Sequence, residues 1–241
     1  MRLLVIGGSG LVGTLVLPYL REKHDLHVFD LKPPAHSGIS YSSGSVTDYA
    51  ALSVACEGQD ALLYMAMGRV GQHGVEMQSD AFDVNVKGVY LALLAAKEAG
   101  IPHAVYTSSM SVYQGKLEAR EFADEDLPPD ARHPYGFTKR LGEEVCRNAC
   151  QRYVMSVNAL RLCWPLSAED WQQRAADGPT LATRADDVAN ALLAALDYRS
   201  GFQAFFISGD YENRFMNMSK ARRVLGWEPT ARPDTAPTPV E

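Results

Sequence analysis

The sequence has no apolar stretch near the roughly 20 residues needed to cross a bilayer. No secretory leader is expected either, because the opening run Leu3-Leu4-Val5-Ile6 is short and stops at glycine. Cysteine is scarce, four residues in 241, with no disulfide framework in its spacing. That scarcity fits a reducing, cytoplasmic compartment. Basic residues are too few to offset the acidic ones, leaving a net charge of −6, and no basic block is present. Nucleic acid is therefore not an expected partner, and neither is a membrane. Cys146 and Cys150 would share a face at i, i+4 if their segment is helical. Two thiols make only half a zinc site, and Cys56 and Cys163 lie far away with no histidine pair. Buried free thiols are the better reading, and no metal is expected.

What remains is ordinary for a globular chain: 46% apolar and 22% charged residues, at a length that can bury a core. Short aliphatic runs alternate with helical periodicity. Strands are expected at 2–6, 26–29 (ending at Asp30), 38–41, 61–66, 103–107, 155–162 and 202–207. Helices are expected at 11–23, 48–56, 80–99, 135–153, 186–196 and 218–225, the last stopped by Gly226. Thr183 and Asp186 resemble an N-terminal capping arrangement. Residues 164–179 show no clear period and suggest loop or cap. This alternation implies an α/β fold of Rossmann type. It would be a doubly wound parallel sheet with a small, mostly C-terminal substrate-binding cap. The expected division is a dinucleotide-binding part at 1–162, a cap with a returning strand at 163–228, and a disordered tail at 229–241.

Gly7-Gly8-Ser9-Gly10-Leu11-Val12-Gly13 falls between the first strand and the first helix. Glycines at Gly7, Gly10 and Gly13 permit a tight turn, close approach of a pyrophosphate and close helix packing. The helix N-terminus then offers backbone N–H groups and its dipole to the phosphates, with Leu11 and Val12 in its first turn. Asp30 stands where a carboxylate would accept bonds from a ribose 2′-hydroxyl and repel a 2′-phosphate. NAD is thus favoured as cofactor, with Lys32 nearby keeping NADP as the alternative. Asp48 opens a helix as an N-cap, a contact to the adenine, or both at once.

Tyr135-Gly-Phe-Thr-Lys139 places a phenol and an ammonium on one helix face. A phenol with a pKa of about 10 is too weak a base at neutral pH. A neighbouring ammonium favours the phenolate, which can take a proton from a substrate hydroxyl while hydride leaves the same carbon. Upstream, Ser108-Ser109-Met-Ser111 sits at the C-terminal end of a strand, where open α/β sheets bind ligands.

In this order the pieces resemble the extended short-chain dehydrogenase/reductase superfamily, in its NAD-dependent epimerase/dehydratase branch. The matching pieces are the glycine loop, Asp30, Asp48, Asp83-Val-Asn85-Val-Lys-Gly88, Ser108-Ser109-Met-Ser111-Val-Tyr113 and Tyr135-Gly-Phe-Thr-Lys139. Arg184-Ala-Asp186-Asp187-Val-Ala and Ser219-Lys-Ala-Arg-Arg-Val-Leu-Gly226-Trp-Glu-Pro229 complete the match across nearly the whole chain. The resemblance implies Ser109 as the catalytic serine, with Ser111 as backup, Tyr135 as acid/base, and Lys139 holding the ribose. It also implies Asn85 as support for the active-site lysine and Ala66 as a strand end lining the cofactor. It implies NAD-dependent chemistry on a sugar or sugar-nucleotide hydroxyl, as an epimerase or a dehydrogenase, and a homodimer through 80–99 and 135–153.

Departures cluster after the sixth strand. Many relatives show Arg-x-x-Asn followed by Gly-Pro, whereas this chain reads Arg161-Leu-Cys-Trp164-Pro165-Leu. A diphosphate-linked substrate is therefore in doubt. The ending Phe206-Ile-Ser-Gly209-Asp210 resembles compact members such as uronate dehydrogenases, and an acidic sugar would need a cation. Arg69 and Arg174 are the candidates. Asp186 and Asp187 are better explained by a helix N-terminus than by catalysis, and Trp227 by packing. The rival reading is a non-catalytic dinucleotide sensor that regulates a protein partner. Such a protein would not need both Tyr135 and Lys139.

Overall fold

The structure, a computed structural model, describes residues 1–68, 75–122 and 124–234. Strand β1 (Arg2–Ile6) alternates its side chains between two cores. Leu3 and Val5 join one cluster, and Leu4 and Ile6 the other. The chain then runs through α1 (Leu11–Leu20), β2 (Asp25–Asp30), β3 (Ser40–Ser43), α2 (Tyr49–Cys56) and β4 (Ala61–Tyr64). Next come α3 (Val75–Phe82), a wide π-turn over Asp83–Gly88, α4 (Val89–Glu98) and β5 (His103–Ser109). The rest comprises α5 (Pro134–Tyr153), β6 (Ser156–Leu162), β7 (Pro165–Leu166), α6 (Ala168–Ala176), β8 (Thr183–Arg184), α7 (Ala185–Asp197) and β9 (Phe202–Ile207). A second π-turn covers Ala221–Leu225 and ends at Gly226 with φ 65°.

Seven strands form one parallel sheet in the order β3-β2-β1-β4-β5-β6-β9. The order reverses between β1 and β4, which opens a crevice at the carboxyl ends of those strands. Helices α1 and α7 cover one face through Val16, Leu17, Leu20, Val188 and Leu192. Helices α2, α4 and α5 cover the other through Leu52, Val89, Leu93 and Cys146. The expected parallel sheet with helices on both faces is what the chain forms. Among the described residues no helix is long and apolar enough to cross a membrane.

Several local expectations are corrected. The helix expected at 80–99 starts at Val75, and the π-turn widens it across Asp83–Gly88. The widened turn is stabilised where the Tyr64 hydroxyl donates to the Val84 carbonyl at 2.6 Å. Residues 164–179, expected as loop or cap, contain helix α6. Ser167 caps α6 by accepting the Asp170 N–H at 3.1 Å, and Trp171 and Ala175 pack a small third core with Ala182 and Ala231. Thr183 does not cap α7. Its hydroxyl donates to the carbonyl of Cys163, 2.9 Å away, and α7 begins after Arg184 without a side-chain cap. The tail read as disordered from Pro229 is tethered as far as Asp234. Asp187 accepts the N–H groups of Thr230 at 2.8 Å and Ala231 at 3.0 Å. Asp187 is thus an anchor for the C-terminal segment, beyond its place in a first helical turn.

Candidate active site

The loop from β1 to α1 turns at Gly7, whose φ of 83° suits glycine. A Cβ there would lie 2.2 Å from the Ala66 nitrogen, so the loop and the end of β4 touch backbone to backbone. At Gly13 a Cβ would lie 2.1 Å from the Gly8 carbonyl oxygen, which fixes how closely α1 approaches the loop. Gly10 precedes α1 without a side-chain cap, and the first turn holds no acidic residue. The first-turn N–H groups therefore face no competing carboxylate, an arrangement suited to phosphate. Asp30 closes this end: one carboxylate oxygen accepts Ser9 N–H at 3.0 Å and the other accepts Leu31 N–H at 2.7 Å.

A cavity of about 690 Å³ runs from this loop along the strand ends. Gly7, Gly10, Leu11, Val12, Asp30 and Ala66 line its first half, and Ser109, Ser111, Tyr135 and Lys139 its second. The shape and the exposed N–H groups fit a dinucleotide, with the glycine loop and Asp30 at one end and the tyrosine at the other. Gly13 and Asn85 stand behind the wall. Asp48 also lies off the wall, where it caps α2 by accepting Ala51 N–H at 3.1 Å. Its neighbours Ser45, Val46 and Thr47 face the cavity instead. Asp48 is thus the N-cap of α2, one of its two expected roles.

Helix α5 carries the tyrosine and lysine. His133 caps it by accepting Gly136 N–H at 3.2 Å, and Pro134 fills the first turn. Tyr135 hydrogen-bonds Ser109, which pulls its pKa down, but burial is the larger influence and the net direction is up. The expected lowering by Lys139 is therefore not what the protein alone produces. The Lys139 ammonium instead donates to the Thr107 carbonyl at 2.9 Å and lies 4.9 Å from the centre of the Tyr106 ring. Burial pushes it down to about 8, opposed by Cys146 and Glu143. Ser108 is excluded from the same chemistry, because its hydroxyl donates to Glu143 at 2.6 Å. Among the adjacent serines, Ser109 alone meets the tyrosine.

Asn85 is fully buried and does not bond Lys139. Its side chain accepts Gly68 N–H at 3.2 Å and donates to the Thr138 hydroxyl at 3.0 Å. That hydroxyl in turn donates to the Tyr135 carbonyl at 2.9 Å. Asn85 thus ties the first turn of α5 to the segment that follows β4, a positioning role.

Beside the tyrosine lies a second cavity of about 620 Å³. It shares Ser109, Ser111, Leu162 and Trp164 with the first. Lys116, Glu118 and His133 also line it. Arg174, expected as a carboxylate anchor, lines neither cavity. It is exposed on α6, with its guanidinium 6.0 Å from the Trp164 ring centre. The loop after β6 turns α6 outward, so the cation covers the tryptophan. Arg69 lies outside the described residues. Residues that sequence reasoning passed over are Thr107, Trp164, Glu118 and His133. Only Trp164 carried a signal, as the bulky residue in a segment that departs from the expected pattern. Cys146 and Cys150 are free thiols whose pKa values burial raises.

The family model described as "NAD dependent epimerase/dehydratase family" matches residues 3–206. An uncharacterized protein of Sinorhizobium fredii is 31% identical over 225 residues, covering 85% of this chain and 55% of that protein. The L-arabinose 1-dehydrogenase (NAD(P)(+)) of Haloferax volcanii is 25% identical over 261 residues, covering 100% and 99%. The chain spans about half the length of the first curated relatives it matches. Among solved structures, a short-chain dehydrogenase/reductase superfamily protein from Agrobacterium tumefaciens with bound NAD superposes at a TM-score of 0.80. It is 23% identical, with 96% of this chain and 93% of that one covered, a likeness of fold.

Proposed function

Because this chain belongs to the NAD-dependent epimerase/dehydratase family, we propose that it is a sugar dehydrogenase working with NAD. The observation that carries the reading is the Ser109–Tyr135–Lys139 group at the far end of the dinucleotide-shaped cavity from Asp30. The whole-length similarity to an L-arabinose 1-dehydrogenase supports net oxidation of a sugar over epimerisation.

NAD, when bound, supplies the hydride acceptor. The chain's own residues handle the proton and the geometry. Tyr135 receives the proton of the substrate hydroxyl as its phenolate, and returns it in the reverse direction. Ser109, whose hydroxyl bonds Tyr135 in the structure, turns its one proton to the reacting oxygen when substrate is bound. Lys139, held by the Thr107 carbonyl, lines the same cavity as Tyr135 and would hold the ribose of the nicotinamide half. Asn85 and Thr138 hold the first turn of α5, so that Tyr135 keeps its place. Asp30 would accept from the adenosine ribose and disfavour a 2′-phosphate, which supports NAD over NADP. The homodimer and the cytoplasmic location belong to the same proposal. Phe82 and Phe137, both exposed and packed edge to face 6.1 Å apart, support pairing through 80–99 and 135–153.

The test is a panel of free aldoses, uronic acids and nucleotide sugars with NAD⁺, read as NADH absorbance. A dehydrogenase releases NADH in proportion to substrate. Epimerisation without net absorbance, or cofactor binding without any turnover, would overturn the reading.

A further inference from the structure

Trp164 is the unusual residue of the second cavity. Of the three tryptophans, Trp171 and Trp227 are buried, and their indole N–H groups donate to the carbonyls of Ala182 and Asp187. Trp164 is 48% exposed. Its φ of 38° lies in the left-handed region, where a bulky residue is an outlier. That conformation is held in place, since the Trp164 carbonyl accepts Thr183 N–H at 3.2 Å and Pro165 pairs with Thr183. Strain of this kind gathers where a side chain must be aimed. Here it leaves the indole lining both cavities, next to Ser109 and Ser111. Arg174 lies over the ring, and a cation there steadies the indole.

The polar lining points to the ligand. Lys116, Glu118 and His133 offer a cation, an anion and an imidazole in one small space. Because His133 accepts Gly136 N–H at Nδ1, its neutral ring carries the proton on Nε2 as a donor. Mixed donors and acceptors around one aromatic face suit a neutral polyhydroxy ring, with apolar C–H groups on the indole and hydroxyls at the rim. A diphosphate would need guanidinium forks or several N–H groups. No arginine lines this cavity among the described residues. Of the arginines that flank lining residues in sequence, Arg161 is buried in a two-pronged pair with Glu143 at 3.0 and 2.8 Å, and Arg120 is engaged by Asp130 at 2.9 Å.

We infer that Trp164 is the stacking platform for the ring of a free monosaccharide, and that the second cavity takes such a sugar in preference to a nucleotide-diphosphate sugar. This rests on the proposed sugar dehydrogenase. The experiment uses the full chain with saturating NAD⁺. Free L-arabinose, D-galactose, D-galacturonate and UDP-galactose are compared by NADH formation for the wild type, Trp164→Ala and Trp164→Phe. In parallel, tryptophan emission is titrated with each compound in Tyr135→Phe, which blocks turnover, and in Tyr135→Phe/Trp164→Phe.

The expected result is turnover of a free sugar and little of UDP-galactose. Trp164→Ala should raise KM for that sugar about tenfold with kcat within about twofold, and Trp164→Phe should recover most of the loss. The free sugar should shift the emission only when Trp164 is present, because the other tryptophans are buried. An unchanged KM in Trp164→Ala, or UDP-galactose outperforming every free sugar, overturns the inference. If no compound yields NADH but a free sugar still shifts the emission, the proposed oxidation fails and the platform stands. If none shifts the emission, the platform fails.

Discussion

Glu143→Gln tests the buried frame that holds the catalytic strand. Glu143 and Arg161 are 2% and 3% exposed. The carboxylate accepts two bonds from the guanidinium, at 3.0 and 2.8 Å, and a third from the Ser108 hydroxyl at 2.6 Å. Arg161 also donates to the Tyr113 hydroxyl at 2.6 Å and the Glu125 carbonyl at 2.8 Å. A glutamine of the same shape keeps one acceptor oxygen. Its amide N–H₂ would meet the second guanidinium prong donor to donor, and the arginine charge would lose its counter-ion in the interior. Breaking one partner of such a pair costs about 3–5 kcal/mol. For a chain of this length that is about 6–20 °C in Tm. The assay is thermal and urea unfolding of the wild type, Glu143→Gln and the double variant Glu143→Leu/Arg161→Met. The double variant should recover much of the loss, because an apolar pair removes both charges together. A Glu143→Gln protein within 1 kcal/mol of wild type would refute the reasoning.

Lys139→Met should cost activity without costing stability. The folded-state pKa of about 8 lies below the ordinary 10.5, so at neutral pH the fold bears the full cost of a buried ammonium. Between these values the unfolded chain keeps a proton that the folded chain has released, and wild-type stability rises relative to the variant. The slope is about 1.4 kcal/mol per pH unit at most. Denaturant unfolding at pH 7 and 9.5 checks this, and a variant advantage that grows with pH would contradict it. Gly13→Ala should destabilise by about 1–3 kcal/mol and weaken NAD⁺ binding, since its Cβ would meet the Gly8 carbonyl at 2.1 Å. Calorimetric titration and melting would show both effects. Val154→Asn should raise stability by about 1 kcal/mol, because a β-branched residue with φ 58° and 92% exposure ends α5. An unchanged or lower Tm would argue against strain at that turn.

The glycine loop, Asp30 and the Tyr135–Lys139 spacing were legible because each follows from local backbone geometry. A turn, a strand end or one helical turn fixes which residues share a site. The parallel sheet was legible for a similar reason, since aliphatic runs covered on both faces leave few alternatives to it. Partners distant in sequence were not legible. Thr183 looks like a cap until β9 brings the Ile207 carbonyl within 3.2 Å of its hydroxyl. Asp187 looks like a first-turn acid until the chain returns to place Thr230 and Ala231 on it. Helix α6 escaped notice because it is nine residues long and buries only Trp171 and Ala175. The outward direction of Arg174 follows from that missed helix. The pKa of Tyr135 turned on burial, which the Tyr-x-x-x-Lys spacing alone does not report.

The most direct measurement is NADH formation by the wild type and Tyr135→Phe from one accepted free sugar, with NAD⁺ affinity measured in parallel. The account predicts that NAD⁺ binding survives in the variant while turnover falls about 10²–10⁴-fold, the contribution of a positioned acid/base. Turnover by Tyr135→Phe equal to that of the wild type would contradict it.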